Sequence, residues 1–125
     1  MPKNIITNVK VLIVDDEKAI GRLIETSLKN RGYEALWTET ADRIVEMVKE
    51  FNPNVILLDI NMPGKSGFDA LKELRDSGID IPVIMISVLS QDFNIDRAYE
   101  LGAVDYVIKP FSLNHLIKKI ERLKG

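Results

Sequence analysis

The 125-residue sequence contains no cysteine, only one histidine, and no long apolar run. The absence of cysteine excludes disulfides, thiolate metal sites and thiol nucleophiles. No apolar stretch approaches the roughly 20 residues of a membrane span, and the N-terminus lacks the apolar core of a signal peptide. The net charge of −2 gives no electrostatic reason to expect nucleic acid or an anionic membrane as a partner. We therefore expect a cytoplasmic protein with neither of these partners.

The composition, 46% hydrophobic and 29% charged, is typical of an ordinary globular domain and not of a disordered chain. The length suits one domain with one core. Apolar runs of strand length alternate five times with helical patterns. The predicted strands are residues 9–14, 33–38, 54–59, 82–87 and 104–108.

Near-continuous Val, Ile and Leu in the first, third and fourth strands indicate burial on both faces, as in parallel sheets. The second strand is the most polar, which favours an edge position; Tyr33 and Trp37 flank it, and we expect them to serve in packing. Right-handed crossovers then place helices on both sides. We expect an α/β fold with a doubly wound five-stranded parallel sheet in the order 2-1-3-4-5.

Each predicted helix has one apolar stripe at the 3.6-residue period. The fourth stripe, over residues 91–101, is the thinnest. The residues expected to face inward are Ile20, Leu23, Ile24, Ser27 and Leu28; Ala41, Ile44, Val45 and Val48; Phe68, Leu71 and Leu74; Ile95, Ala98 and Leu101; and Leu113, Leu116, Ile117, Ile120 and Leu123.

Polar residues follow several of these strands. Asp15 and Asp16 close the first apolar run, Asp59 the third and Lys109 the fifth. Strand ends share one edge of a parallel sheet, so these side chains should converge there. Three carboxylates at one place repel by several kcal/mol unless a cation joins them. The alternative explanations are that Asp15 and Asp16 are acids at a helix N-terminus and that Asp59 starts a turn. Oxygen ligands favour Mg²⁺.

The grouping also suits phosphoryl chemistry. A carboxylate such as Asp59 can attack a phosphoryl group and form an aspartyl phosphate. Ser87, at the end of the fourth strand, can hydrogen-bond the phosphoryl oxygens. Lys109 can neutralise them, and Pro110 restricts the backbone that aims its ammonium group.

These residues and their spacing resemble the receiver domains of two-component response regulators, and the resemblance covers roughly residues 9–124. It implies that Asp59 is the phosphoacceptor and that Ser87 and Lys109 contact the phosphoryl group. It implies Tyr106 as an aromatic switch that moves with Ser87. The implied Mg²⁺ ligands are Asp15, Asp16, Asp59 and the backbone carbonyl of Asn61.

The resemblance also implies a flavodoxin-like (βα)5 fold, with residues 1–125 as one receiver domain and residues 1–8 as an N-terminal extension. Its phosphodonor would be a histidine kinase or a phosphotransfer protein. Its output would pass through the fourth helix, fifth strand and fifth helix to an effector or a second copy of the chain. Such a domain catalyses only its own phosphorylation and dephosphorylation.

Two neighbouring residues depart from the receiver pattern or limit it. Receivers commonly have Ala or Gly after the hydroxyl residue, whereas Val88 stands here, and Leu89 cannot orient a hydrolytic water. A non-phosphorylated receiver-like binding module is therefore one alternative. Another is a haloacid-dehalogenase-like phosphatase, but that family needs an Asp two residues after the nucleophile, and this chain has Asn61.

Overall fold

The computed structural model describes residues 9–124, so the proposed N-terminal extension, residues 1–8, lies outside the described residues. Strands and helices alternate along the chain, as the apolar pattern predicts. The elements are β1 (Lys10–Val14), α1 (Lys18–Asn30), β2 (Glu34–Thr38), α2 (Ile44–Phe51), β3 (Val55–Asp59), α3 (Gly67–Asp76), β4 (Val83–Ser87), α4 (Asp92–Glu100), β5 (Asp105–Ile108) and α5 (Leu113–Lys124).

All neighbouring strands are parallel, and the order β2-β1-β3-β4-β5 confirms the prediction. The polar second strand is an edge, also as predicted. The register pairs Val14 with Leu58 and Asp59 with Ile86. The strands therefore end at nearly the same level, which brings the residues that follow them to one edge of the sheet.

The sheet separates two apolar cores because successive strand residues point to opposite faces. Leu12, Leu58 and Met85 pack with α2 and α3 on one side. On the other side Ile13 and Leu57 pack with α1 and α5. Buried β strands between two helical layers form a rigid platform, and the polar loops project from its edge.

Local residue chemistry accounts for two of the helix ends. Ser66 caps α3, its hydroxyl accepting the amide N–H of Asp69 at 3.1 Å. Helix α1 gives way to Gly32 in the left-handed region, with φ of 92°. Across residues 9–124, no helix combines the length and apolar character that a bilayer crossing requires.

Two of the residues expected to face inward do not. Leu23 is 57% exposed and Leu123 is also exposed, because each lies on the flank of its helix, beside the buried stripe. Val104 and Ile108 of the fifth apolar run are exposed as well. Val104 immediately precedes β5 and Ile108 ends it, and β5 is an edge strand with a neighbour on one side only.

Candidate functional site

Backbone hydrogen bonds continue past the ends of the strands and align the residues that follow them. The amide of Asp15 donates to the carbonyl of Thr38 at 3.1 Å, and the amide of Lys109 donates to the carbonyl of Ser87 at 2.8 Å. On the far side of Asp59, α3 begins against the same loop: a Cβ added to Gly67 would lie 2.3 Å from the Asp59 carbonyl oxygen. These contacts fix the backbone beneath the site.

Lys109 is the centre of the polar cluster. Its Nζ lies 3.1 Å from Oδ2 of Asp15, 3.5 Å from Oδ2 of Asp59 and 2.5 Å from Oε1 of Glu17. The Lys109 side chain and both aspartate side chains are buried, whereas Glu17 is exposed for about half of its side chain. One ammonium group therefore faces three carboxyl groups.

The proton affinities at the site follow from burial and from this unequal charge. Burial, followed by the nearby Asp15 charge, raises the pKa of Asp59 to about 7, although the Lys109 charge opposes the shift. Burial also raises the pKa of Asp15 above its ordinary value, against the bond from the Glu17 amide. Burial by itself would lower the pKa of Lys109, but its contacts with Glu17 and Asp15 raise it. The lysine is charged, and the pocket carries more acid than it neutralises.

The carboxylates that lie closest together are Asp15, Glu17 and Asp59, each offering an oxygen within 4.8 Å of the others. Oδ1 of Asp15 accepts the Glu17 amide N–H at 2.8 Å, and the buried Oδ2 lies 3.1 Å from the Lys109 ammonium as an ion pair. That one ammonium also faces Glu17 and Asp59, so it compensates the charge of the three carboxyl groups only in part. This donor set, all oxygen and carrying excess negative charge, suits a hard divalent cation.

A cavity of about 180 Å³ opens above Asp59 and Lys109. It is also lined by Asp16 and Asn61, both exposed, so three of the four ligand-bearing residues expected from the sequence line this cavity. The fourth, Asp15, is buried, and its Oδ2 lies 3.1 Å from the Nζ of Lys109. Val88 lines the cavity too and is 60% exposed. Ser87, the residue before it, is fully buried and does not line the cavity.

Ser87 and Tyr106 are joined through one loop residue. The Leu89 amide donates to Oγ of Ser87 at 3.0 Å, and the hydroxyl of Tyr106 donates to the Leu89 carbonyl at 2.7 Å. The Tyr106 side chain is buried, and burial raises the pKa of its hydroxyl. A displacement of Ser87 would therefore be transmitted to Tyr106 through the backbone of Leu89.

Two residues of this arrangement were not among the site residues expected from the sequence. Glu17 belongs to the acidic run, but residue type alone does not show which acid in a turn points at Lys109. Trp37 was expected to serve only in packing; in the structure its indole N–H donates to the Asp15 carbonyl at 2.9 Å. Gly21 in the interior of α1 was the available signal, because a helical glycine is unfavourable unless something approaches it closely.

Solved structures with the same fold cover nearly the whole chain. The receiver domain of a Francisella response regulator, 1452, is 34% identical with a TM-score of 0.88, covering 93% of this chain and 96% of its own. Chemotaxis protein CheY4 of Vibrio cholerae is 26% identical with a TM-score of 0.86 over 93% and 98%. The BeF3-activated N-terminal receiver domain of RstA from Klebsiella pneumoniae is 28% identical with a TM-score of 0.85 over 93% and 99%.

The sequence itself carries the same relationship. Residues 11–121 match the profile of the response regulator receiver domain, and this range includes every polar residue of the cluster around Lys109. On this match, and on the fold and strand-end chemistry that accompany it, the chain belongs to the receiver domain family of two-component response regulators.

Proposed function

We propose that Asp59 accepts a phosphoryl group from a histidine kinase or phosphotransfer protein in the cytoplasm, with Mg²⁺ bound beside it. The observation that carries this proposal is the buried Asp59 carboxyl, whose oxygen lies 3.5 Å from the Lys109 ammonium at the floor of an acidic cavity. A nucleophile, a cation and space for a small anionic group occur together there.

The chain's own residues account for each part of the transfer. An Asp59 carboxylate oxygen attacks phosphorus, and the bond from phosphorus to the donor histidine nitrogen breaks, its electron pair returning to that nitrogen. Lys109 lies where it neutralises charge on the phosphoryl oxygens. Asp15, Asp16, Asp59 and the Asn61 carbonyl would hold Mg²⁺, which when bound supplies further charge neutralisation and orients the phosphoryl oxygens. Cation binding also favours the ionised, nucleophilic form of Asp59.

Phosphorylation can be tested with acetyl phosphate and Mg²⁺, followed by intact-mass measurement. We expect the wild type to gain one phosphoryl group and Asp59→Asn to gain none. Asp96→Asn is the matched control, since Asp96 is an exposed acid on α4, and it should behave as the wild type. A wild type that gains no mass would contradict the proposal, and an adduct that persists in Asp59→Asn would assign the phosphoryl group to another residue.

We further propose that phosphorylation changes the face formed by α4, β5 and α5, and that this face meets an effector or a second copy of the chain. The bonds from Ser87 through Leu89 to Tyr106 supply a route from the site to β5. The same side of the molecule exposes apolar residues on α4 and around β5, among them Phe93, which is 67% exposed, Tyr99 and Ile108. Such a surface suits a protein partner.

The response of this face can be measured by hydrogen exchange with and without beryllofluoride and Mg²⁺, the phosphoryl mimic named for the RstA receiver. We expect altered exchange at residues 87–89, in α4 and in β5. Tyr106→Phe removes the hydroxyl bond to Leu89 and should reduce the response of β5, while Asp59 still becomes phosphorylated. Changes confined to α1 and α2 would reject this output surface.

A further inference from the structure

The turn that carries the acidic residues, Asp15 to Glu17, is held by hydrogen bonds on both sides of the Asp15 backbone. Its amide donates to the Thr38 carbonyl at 3.1 Å. Its carbonyl accepts the indole N–H of Trp37 at 2.9 Å. That carbonyl belongs to the peptide plane joining Asp15 to Asp16. The indole therefore sets the orientation of the unit from which the Asp16 side chain projects.

Trp37 is itself fixed by α1. Its ring lies so close to Gly21 that a Cβ added there would lie 2.1 Å from the indole nitrogen. The guanidinium of Arg22 lies 5.6 Å from the ring centroid, and the Trp37 amide donates to Oε2 of Glu25 at 3.2 Å. A glycine in a helix interior is less favourable than an alanine. Here the absence of a side chain at Gly21 is what admits the ring.

We propose that Trp37 is a positioning residue: its indole N–H holds the Asp15–Asp16 peptide in the orientation in which the acidic turn receives a divalent cation. This role rests on the proposed function, because the cation is the one proposed for Asp59 phosphorylation. Partners that orient metal ligands without touching the metal are worth roughly 10–100-fold in metal affinity. Trp37 would orient Asp16 in this way, through its hydrogen bond to the Asp15 carbonyl.

The test uses Trp37→Phe, which keeps an aromatic ring on β2 and removes the N–H donor. Calorimetric titration with MgCl₂ should give an affinity about 10-fold weaker than that of the wild type. Gly21→Ala should weaken Mg²⁺ binding as well, because its methyl group displaces the indole without removing the N–H. Arg22→Gln is the matched control: it removes the cation beside the ring, keeps the N–H bond, and should change the affinity less than about 2-fold.

A second readout needs no metal. The Glu17 amide is bonded to Oδ1 of Asp15 within the same turn, so its hydrogen exchange reports on the order of that turn. We expect faster exchange of this amide in Trp37→Phe and Gly21→Ala than in the wild type and Arg22→Gln. Urea unfolding of each variant separates this local effect from a general loss of stability.

If Trp37→Phe is less stable but keeps either its Mg²⁺ affinity or its Glu17 exchange rate, Trp37 serves in packing and the proposal is wrong. If the wild type binds no Mg²⁺, the metal site of the proposed function is wrong. In that case the Glu17 exchange rate alone decides whether Trp37 orders the acidic turn.

Discussion

At the edge of the sheet where the strands begin, the Arg75 guanidinium donates to the carbonyls of Ile79 and Ile81, both at 2.9 Å, and to that of Gly102 at 2.8 Å. At the opposite edge, the Lys109 ammonium faces the carboxyl groups of Asp15, Glu17 and Asp59. Both edges hold a cation in a partly or fully buried position, but Arg75 contacts backbone carbonyls, whereas Lys109 forms ion pairs with three carboxyl groups.

The difference separates a structural contact from a site prepared for a ligand. Arg75 donates to three neutral carbonyls with its fixed fork of donors, and the nearby Asp80 charge is of opposite sign, so the cation at that end is matched by its surroundings. Lys109 meets more negative charge than it carries, because its one ammonium group faces the carboxyl groups of Asp15, Glu17 and Asp59. Buried carboxylates whose charge is only partly compensated raise the free energy of the folded state, and a bound cation would lower it.

The largest expected effect is on the pH dependence of stability in the metal-free protein. The pKa of Asp59 is about 7 in the folded protein against 3.8 as the ordinary value. Between these values the folded state keeps a proton that the unfolded state has lost, so the free energy of unfolding should fall as pH rises from 4 to 7. At about 1.4 kcal/mol per pKa unit, the free energy of unfolding should fall by roughly 4 kcal/mol over this range.

This dependence is isolated by chemical unfolding of the wild type and Asp59→Asn with a chelator present. The wild type should lose stability relative to Asp59→Asn from pH 4 to pH 7, and the difference should be constant above pH 7. Carboxyl groups outside the pocket titrate alike in both proteins, so the difference reports on Asp59 together with Asp15, whose charge interacts with it. A difference that is flat across this range, or that rises with pH, would show that Asp59 is not held in a pocket of excess acid.

A somewhat smaller effect is expected at the opposite edge. Arg75→Ala leaves three carbonyls without their donor and should lower the free energy of unfolding by about 3 kcal/mol. Lys72→Ala on the same helix is the matched control; it breaks an exposed pair with Asp76 and should leave the free energy of unfolding nearly unchanged. Mg²⁺ should stabilise both variants as much as it stabilises the wild type. A smaller stabilisation of either variant would show that the two edges of the sheet do not act separately.

The smallest of the three effects is the loss of Mg²⁺ stabilisation in Asp16→Asn. A cation that binds only the folded state stabilises it by about 2.7 kcal/mol when its free concentration is 100 times the dissociation constant. Thermal unfolding at fixed ionic strength should show this gain for the wild type, with Asp16→Asn losing most of it. The metal-free variant should be at least as stable as the wild type. If Asp16→Asn were instead less stable and kept the full Mg²⁺ response, Asp16 would be a helix-terminal acid.

Much of the fold could be predicted because each strand is a short, nearly pure apolar run and each helix has its own stripe. The strand order and the edge position of β2 followed from that pattern. The exposure of Leu23 could not be predicted in this way. The apolar pattern identifies the stripe of a helix, but it does not show which side of that stripe the neighbouring elements cover. Glu17 and Trp37 were missed because their roles depend on the path of a turn and on one close approach between α1 and β2.

The central proposal is that Asp59, beside Lys109 at the floor of the acidic cavity, is the phosphoacceptor. The most direct measurement is to treat the protein with acetyl phosphate and Mg²⁺, denature it, reduce it with borohydride and sequence its peptides by mass spectrometry. Borohydride converts an aspartyl phosphate to homoserine and leaves free aspartate unchanged. The account predicts homoserine at position 59 and at no other position. Homoserine at position 15 or 16, or a phosphoryl adduct with none at position 59, would contradict it.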